Sequence, residues 1–350
     1  MHAKRLQLIR LSGDRVVLKR GVQEILLEGP GVGSVVEPVV KMLDGTATRE
    51  QIVDAFPGEL RSDVDRLLSS LLQRGMASES PDGLPEEEPG ADALQAAFYR
   101  NFGRLGEVAP ARLAASTVLV VGVNLISRAL VRSLLELGVG EVRLAGEPVL
   151  DNHLIASEQP AERPGARGTL RRLARMPGVG DLDDVGLLCA ASDFGPFDAL
   201  LEVNRIALRA HRPFLPVWLA DLVGHVGPLN HPFETACFRC YQVRAEANEP
   251  RWEVARAVRE HLAENAEARA GVGLLPPMAA LLGDVAALEI AKQLGGFAPS
   301  DATGRVLEIN LVSFGSAVRR VLKIPRCPEC GEVMRRGSLA LTLEPQIPQE

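Results

Sequence analysis

Two Cys-x-x-Cys pairs are the residues of this sequence best suited to chemistry: Cys237-Phe-Arg-Cys240 and Cys327-Pro-Glu-Cys330. Each pair places two sulfur atoms on one tight turn, and two such pairs supply four thiolates for a tetrahedral zinc ion. The chain has five cysteines, and these pairs contain four of them. Because four sulfurs fill the coordination shell and leave no position for water, the predicted Zn2+ is structural. The alternative is four free thiols that never meet.

A glycine-containing turn is the second candidate site, and it reads Gly122-Val-Asn124-Leu-Ile-Ser127. In a dinucleotide-binding turn the second glycine lets the backbone approach the phosphates, and the third lets the helix pack closely on the strand. Asn124 and Ser127 occupy those two positions. The sequence therefore predicts a degenerate nucleotide site in which ATP binding is unfavourable. The fifth cysteine, Cys189, lies in an apolar run typical of a buried strand, so we predict no catalytic residue.

The elements that must position these residues form an α/β domain over residues 94–337. Continuous apolar runs predict buried parallel strands, and they alternate with helical stretches, as in a doubly wound, Rossmann-type sheet. The predicted strands are 117–121, 141–144, 187–191, 213–218 and 305–309, and the predicted helices are about 94–102, 123–137, 200–210 and 278–294.

A smaller α+β domain is predicted over residues 1–77. Strands at 16–19 and 22–28 are joined by a hairpin signal at Arg20-Gly21. Three helices follow, at about 34–43, from Thr48, and at about 62–73; Thr48 and Gln51 form a capping-box pattern. Two strands with three short helices indicate a winged-helix-like domain. An acidic, Pro/Gly-rich linker is predicted at 78–93, and a poorly ordered tail at 338–350.

Composition limits the functional classes. The 350 residues are 46% hydrophobic, with a formal net charge of -6. This charge favours neither nucleic acid nor an anionic membrane as a partner. No long apolar run follows the first residues, so no signal peptide or transmembrane segment is expected. Paired cysteines in such a chain are typical of metal binding in a reducing compartment, and we expect a cytoplasmic protein.

The order of these segments resembles the E1-like family, the ThiF and ubiquitin-activating adenylyltransferase superfamily. The matching stretches are Val118–Gly122, Leu137–Leu144, Ala190–Asp193, Ala236–Tyr241, Gly283–Glu289 and Cys327–Gly331. The resemblance implies that Asp193 corresponds to the metal-binding aspartate of the family; otherwise it is a helix N-cap. The family's arginine, expected about three residues after an asparagine, is missing after Asn152. The resemblance also implies a homodimer.

The first domain resembles the PqqD-type leader-binding domain, the RiPP recognition element. Joined to a degenerate E1-like domain, it resembles the leader-binding partner of YcaO-type cyclodehydratases in thiazole/oxazole-modified peptide biosynthesis. The resemblance implies a non-catalytic subunit that binds a ribosomal precursor peptide and delivers it to the YcaO enzyme. The alternative is an active ATP-dependent adenylyltransferase acting on a peptide or carrier-protein C-terminus.

The first domain has three interpretations: peptide binding, DNA binding, or a folding appendage. Peptide binding by strand addition requires an exposed strand edge and a neighbouring apolar groove. Residues 1–77 contain eleven Lys/Arg and ten Asp/Glu, which is unfavourable for phosphate contact. The predicted peptide-binding residues are Val22, Gln23, Glu24, Ile25, Leu26, Leu27, Arg61, Asp65 and Leu68.

Overall fold

The computed structural model describes residues 1–3, 6–79, 91–155, 168–195, 197–270 and 272–331. The chain divides into two compact units, Met1–Pro110 and Ala111–Glu350. The helix near residue 94, which the sequence assigned to the second domain, therefore lies in the first unit. Residues 80–90 of the predicted linker and the predicted tail at 338–350 lie outside the described residues.

The first unit contains a three-stranded antiparallel sheet in the order β1-β2-β3. Its strands are β1 (Gln7–Ser12), β2 (Arg15–Arg20) and β3 (Gln23–Glu28). The sequence predicted only two strands. β1 was missed because most of its residues are exposed, so it lacks the alternation of a half-buried strand.

Helices complete the first unit. They are α1 (Val32–Met42), α2 (Arg49–Asp54), α3 (Gly58–Gln73), α4 (Ala91–Tyr99) and the first part of α5 (Gly103–Ala114). The predicted capping box at the start of α2 is confirmed, because Thr48 accepts from the Gln51 N–H and Gln51 from the Thr48 N–H. Buried side chains from α1, α2 and α3 pack with Val16 and Leu18 of β2 into one core. This core fixes one face of the sheet.

The second unit is built on an eight-stranded sheet in the order β11-β10-β9-β8-β7-β4-β5-β6. Its strands are β4 (Thr117–Val121), β5 (Glu141–Ala145), β6 (Thr169–Leu173), β7 (Leu187–Ser192), β8 (Phe214–Ala220), β9 (Val223–Val226), β10 (Arg305–Asn310) and β11 (Ser316–Arg320). The helices after α5 are α6 (Leu125–Glu136), α7 (Asp198–Arg209), α8 (Phe238–Asn248), α9 (Trp252–Glu264), α10 (Ala266–Ala270) and α11 (Pro276–Gly295).

This sheet is mixed, whereas the sequence predicted a parallel one. The strands from β8 to β6 pair in parallel, as expected for the Rossmann-type part. β9, β10 and β11 extend it in antiparallel fashion. β6, β9 and β11 were missed, since they are short and carry many exposed or polar residues. The α/β assignment is confirmed, and the wholly parallel sheet is wrong.

One helix pair fixes the position of the glycine turn. α6 and α11 cross at Gly283, where a Cβ atom would lie 2.6 Å from the Ile126 carbonyl oxygen and 2.8 Å from the Ala129 Cβ. Only glycine allows this approach, and it holds the first turn of α6 against α11.

Within the described part of the chain, no helix is both long enough and apolar enough to cross a membrane.

Candidate functional site

The glycine turn lies at the topological switch point of the sheet, where open α/β folds bind their ligands. From β4 the strand order continues to β5 and β6 on one side and to β7 and β8 on the other. Gly122 follows β4 with φ 96°, and a Cβ there would lie 2.6 Å from the Ala191 carbonyl oxygen. The sequence thus keeps a glycine at the position where both the backbone angle and the close approach demand it.

Asn124 and Ser127, at the positions where the sequence analysis expected the later glycines, form the N-terminal cap of α6. Asn124 Oδ1 accepts from the Ser127 N–H at 2.9 Å, and Ser127 Oγ accepts from the Asn124 N–H at 2.9 Å. The Asn124 side-chain amide also donates to the carbonyl oxygens of Ala191 (2.7 Å) and Leu150 (3.0 Å). Both residues are buried. Asn124 therefore connects the start of α6, the end of β7 and the loop after β5. These three segments surround the crevice at the carboxyl ends of β4 and β7.

The Asp193 carboxyl group binds the free N–H groups at the N-terminus of α6, where an anion could otherwise bind. Its carboxyl group accepts from the backbone N–H of Leu125 at 3.0 Å, from that of Ile126 at 3.2 Å and from the Asn152 side-chain amide at 3.0 Å. Burial raises the pKa of Asp193, and these three hydrogen bonds oppose the increase. Asp193 does cap a helix, but it caps α6 and not the helix that follows it. Asn152 holds Asp193 in place through its side-chain amide. The sequence analysis named Asn152 only as the residue that precedes the missing arginine.

Replacing Asp193 by Ala should lower the free energy of unfolding by about 2 kcal/mol, because three donors at a buried helix end lose their acceptor. Urea titration of the full chain measures this change. Asp183→Ala, which removes an exposed carboxylate before β7, should stay within about 0.5 kcal/mol of the wild type. Equal stability of the two variants would mean that α6 does not depend on Asp193.

The loop after β5 is bound to the glycine turn. Asp151 Oδ1 accepts from the N–H groups of Val123 at 2.7 Å and Glu147 at 3.0 Å. The Asn152 N–H donates to the Val123 carbonyl oxygen at 2.8 Å. The Asp151 carboxylate is thus occupied by backbone groups.

Arg269, from α10, occupies the same side of the crevice and was not identified from the sequence. Its guanidinium donates to the carbonyl oxygens of Val149 (2.9 Å), Leu262 (2.7 Å) and Ala263 (2.9 Å). It lies 5.6 Å from the ring centroid of Phe197, as in a cation–π contact. Arg269 is only 3% exposed. The segment after α9 is therefore fixed over the loop that follows β5.

The four paired cysteines converge in the second unit, as the sequence predicted. Cys237 is the N-cap of α8 and Cys240 lies in its first turn, whereas Cys327 and Cys330 lie in a turn after β11. All four are buried, and their sulfur atoms lie within 4.8 Å of one another. The sulfur–sulfur separations include 3.9 Å (Cys237–Cys240), 3.8 Å (Cys237–Cys327) and 3.5 Å (Cys240–Cys330).

These separations fit a tetrahedral zinc ion. With Zn–S bonds of about 2.3 Å, the sulfur atoms of a tetrahedron are about 3.8 Å apart. The hydrogen bond that the Cys237 thiol donates to the Cys240 sulfur lowers the pKa of Cys240. The Ile324 N–H also donates to the Cys240 sulfur, at 3.4 Å. A cation at the centre would hold all four as thiolates, and no fifth donor is needed.

Cys189 is fully buried in β7, and burial raises the pKa of its thiol, as expected of a core residue.

The predicted peptide-binding strand is an edge strand. Among the described strands, β3 pairs only with β2, and Gln23, Ile25 and Leu27 are half-buried on the core face. The two-residue turn between Arg20 and Gln23 sets the register. In this register the backbone groups of Glu24, Leu26 and Glu28 point away from β2, because hydrogen-bonded and non-bonded pairs alternate. Val22 and Leu26 are 75% and 47% exposed.

The three predicted helix residues differ in what they can offer a peptide. Arg61 forms an ion pair with Asp54 at 3.0 Å and donates to the carbonyl oxygens of Asp54 and Phe56. Asp65 accepts from Arg49 at 2.7 Å, and this hydrogen bond lowers the pKa of Asp65. Leu68 is fully buried in the core, so its side chain cannot line a groove.

Part of the second unit is similar to a known protein family. Residues 178–332 match the model of the ThiF family. This domain is ThiF-related and E1-like. No curated protein sequence matches the chain.

Solved structures share the fold over nearly the whole chain. MccB of E. coli has a TM-score of 0.65 at 15% identity, with 95% of this chain and 96% of MccB covered. The complex of E. coli MccB with ATP has a TM-score of 0.66 at 15% identity and covers 95% and 99% of the two chains. A heterocyclase in complex with substrate and cofactor has a TM-score of 0.59 at 20% identity. It covers 95% of this chain, which spans 40% of the heterocyclase. At these identities the likeness concerns the fold.

Proposed function

We propose that this protein is a leader-peptide-binding, non-catalytic component of a RiPP azol(in)e cyclodehydratase complex. Its winged-helix-like first unit binds the leader of a ribosomal precursor peptide and delivers the core to a YcaO-type enzyme, which uses ATP to cyclise Cys, Ser or Thr onto the preceding amide. The observation that carries the proposal is the occupation of the α6 N-terminus by Asp193 and Asn124.

The state of the nucleotide crevice supports a binding role. Helix N-termini bind phosphates through free N–H groups and the positive end of the helix dipole. In α6 the N–H groups of Leu125, Ile126 and Ser127 already have side-chain acceptors from the chain itself. A phosphate would have to displace a buried carboxyl group and would meet the side chain of Asn124. ATP binding in this crevice is therefore unfavourable.

The β3 edge supports peptide capture. An extended peptide can pair with the outward backbone groups of Glu24, Leu26 and Glu28, which provide main-chain affinity. Leader and enzyme held in one complex raise the effective concentration of the core peptide at the partner's active site. E. coli MccB and the heterocyclase in complex with substrate share this fold, which supports the proposal.

The zinc ion has a structural part in this proposal. It would join the start of α8, at Cys237, to the segment after β11, at Cys327, which is ninety residues away in sequence.

A homodimer is also part of the proposal. The edge strand β11 and the turn before it expose Phe314 (72%) and Val318 (55%), apolar surface that a second copy would cover.

Calorimetric titration of the full chain with the leader peptide encoded beside its gene tests the function. We expect a Kd in the micromolar range or below, and no heat from ATP in the same cell. No binding at micromolar concentrations would refute the proposed function.

The second candidate, an adenylyltransferase, is favoured by the shared fold of the MccB–ATP complex. Pyrophosphate exchange dependent on a peptide or carrier-protein C-terminus would establish it in place of the binding role.

A further inference from the structure

A basic cleft of about 870 Å³ opens in the first unit. Its walls are the turn between β2 and β3, the C-terminal end of α3, and the segment between α4 and α5. Four arginines line it: Arg20, Arg74, Arg100 and Arg104. The acidic residues among the lining are Glu79 and Glu107, so the cleft is positive in a chain whose net charge is negative.

Two of these arginines are available to a ligand. Arg74 and Arg104 are exposed, and within the part of the chain that the structure describes, their guanidinium groups form no hydrogen bond or ion pair. Most of the other arginines of this unit do pair with carboxylates, for example Arg10 with Glu37 and Arg66 with Asp63. Two unpaired guanidinium groups that line one cleft form a site for anions.

The walls of the cleft are held together by the chain itself. Arg20 donates to the Gly75 carbonyl oxygen and joins the hairpin to the end of α3. Asn101 Oδ1 accepts from the Val22 N–H at 3.2 Å, and the Gln23 side chain donates to the Asn101 carbonyl oxygen at 3.3 Å. Because the chain's own groups form these contacts, binding would not have to order the cleft first.

Gln23 connects the cleft to the edge strand. It is the first residue of β3 and also lines the cleft. A peptide that pairs with the outward groups of Glu24, Leu26 and Glu28 and continues past Gln23 would enter the cleft. Carboxylates of that continuation would meet Arg74 and Arg104, whose planar forks bind carboxylates in bidentate fashion.

We propose that this cleft binds the carboxylate side chains of an acidic peptide segment, which selects leaders with Asp or Glu beyond the part that pairs with β3. The identity of the peptide as a leader rests on the proposed function. The carboxylate site itself rests only on the arginines and their cleft.

The test uses the full chain and three fluorescent probes: hexaglutamate, hexaglutamine and a short single-stranded oligonucleotide. Hexaglutamate should bind, hexaglutamine should not, and the oligonucleotide should bind more weakly than hexaglutamate. The double variant Arg74→Gln/Arg104→Gln should weaken hexaglutamate binding about tenfold. The matched control Arg10→Gln/Arg66→Gln removes the same charge outside the cleft and should leave binding within about twofold of the wild type.

The outcomes separate this proposal from the function it extends. Equal affinity for hexaglutamate and hexaglutamine, or equal loss in both double variants, overturns the carboxylate site. Tighter binding of the oligonucleotide overturns its assignment to a peptide. Leader binding that depends on Leu26 but not on Arg74 and Arg104 refutes the cleft and keeps the proposed function. Hexaglutamate binding without any leader binding keeps the cleft and refutes the function.

Discussion

Replacing Cys330 by Ser should remove bound zinc from the protein and lower the free energy of unfolding of the second unit by about 4 kcal/mol. Cys330 is fully buried, 3.5 Å from the Cys240 sulfur. A serine hydroxyl is a much weaker zinc ligand than a thiolate. Loss of the ion would leave three thiols in a cluster that no longer joins α8 to the segment after β11.

Metal analysis and urea unfolding of the purified chain measure this effect. The wild type should carry one zinc per chain, and a strong chelator should lower its stability to that of Cys330→Ser. Cys189→Ala is the matched control, because Cys189 is equally buried but lies outside the cluster. It should retain the zinc and lose only about 1 kcal/mol. A wild-type chain that is free of metal and indifferent to the chelator would contradict the prediction.

The sequence predicts best what its local patterns determine. The Cys-x-x-Cys spacing and the capping box at Thr48 depend on residues three positions apart, and both appear in the structure. The buried parallel strands have continuous apolar runs because helices cover both faces. β6 has no such run, because it lies at the edge of the sheet and carries Arg171 and Arg172. An edge strand with as many exposed polar residues as β6 lacks the apolar run on which the prediction depends.

The interior of the nucleotide crevice could not be predicted for a different reason. Asp193 binds the backbone of Leu125 and Ile126, and Arg269 binds the carbonyl group of Val149. These partners are separated by 67 or more residues along the chain, so no spacing rule relates them. Asn124 and Ser127 allow the sequence to predict only that this crevice differs from a dinucleotide-binding site. The side chains that now fill it become apparent only when the strands bring them together.

Replacing Leu26 by Pro should weaken leader binding about 30-fold, because proline removes the outward N–H at the centre of the β3 edge and its ring blocks an added strand. The fold should tolerate the change, since the Leu26 N–H does not pair with β2. Calorimetric titration with the leader measures the loss.

Leu26→Thr keeps the N–H and should bind within about threefold of the wild type. Arg10→Pro, at an outward position of the opposite edge strand β1, should leave binding unchanged. Equal weakening by Arg10→Pro and Leu26→Pro would show that the leader does not pair with β3.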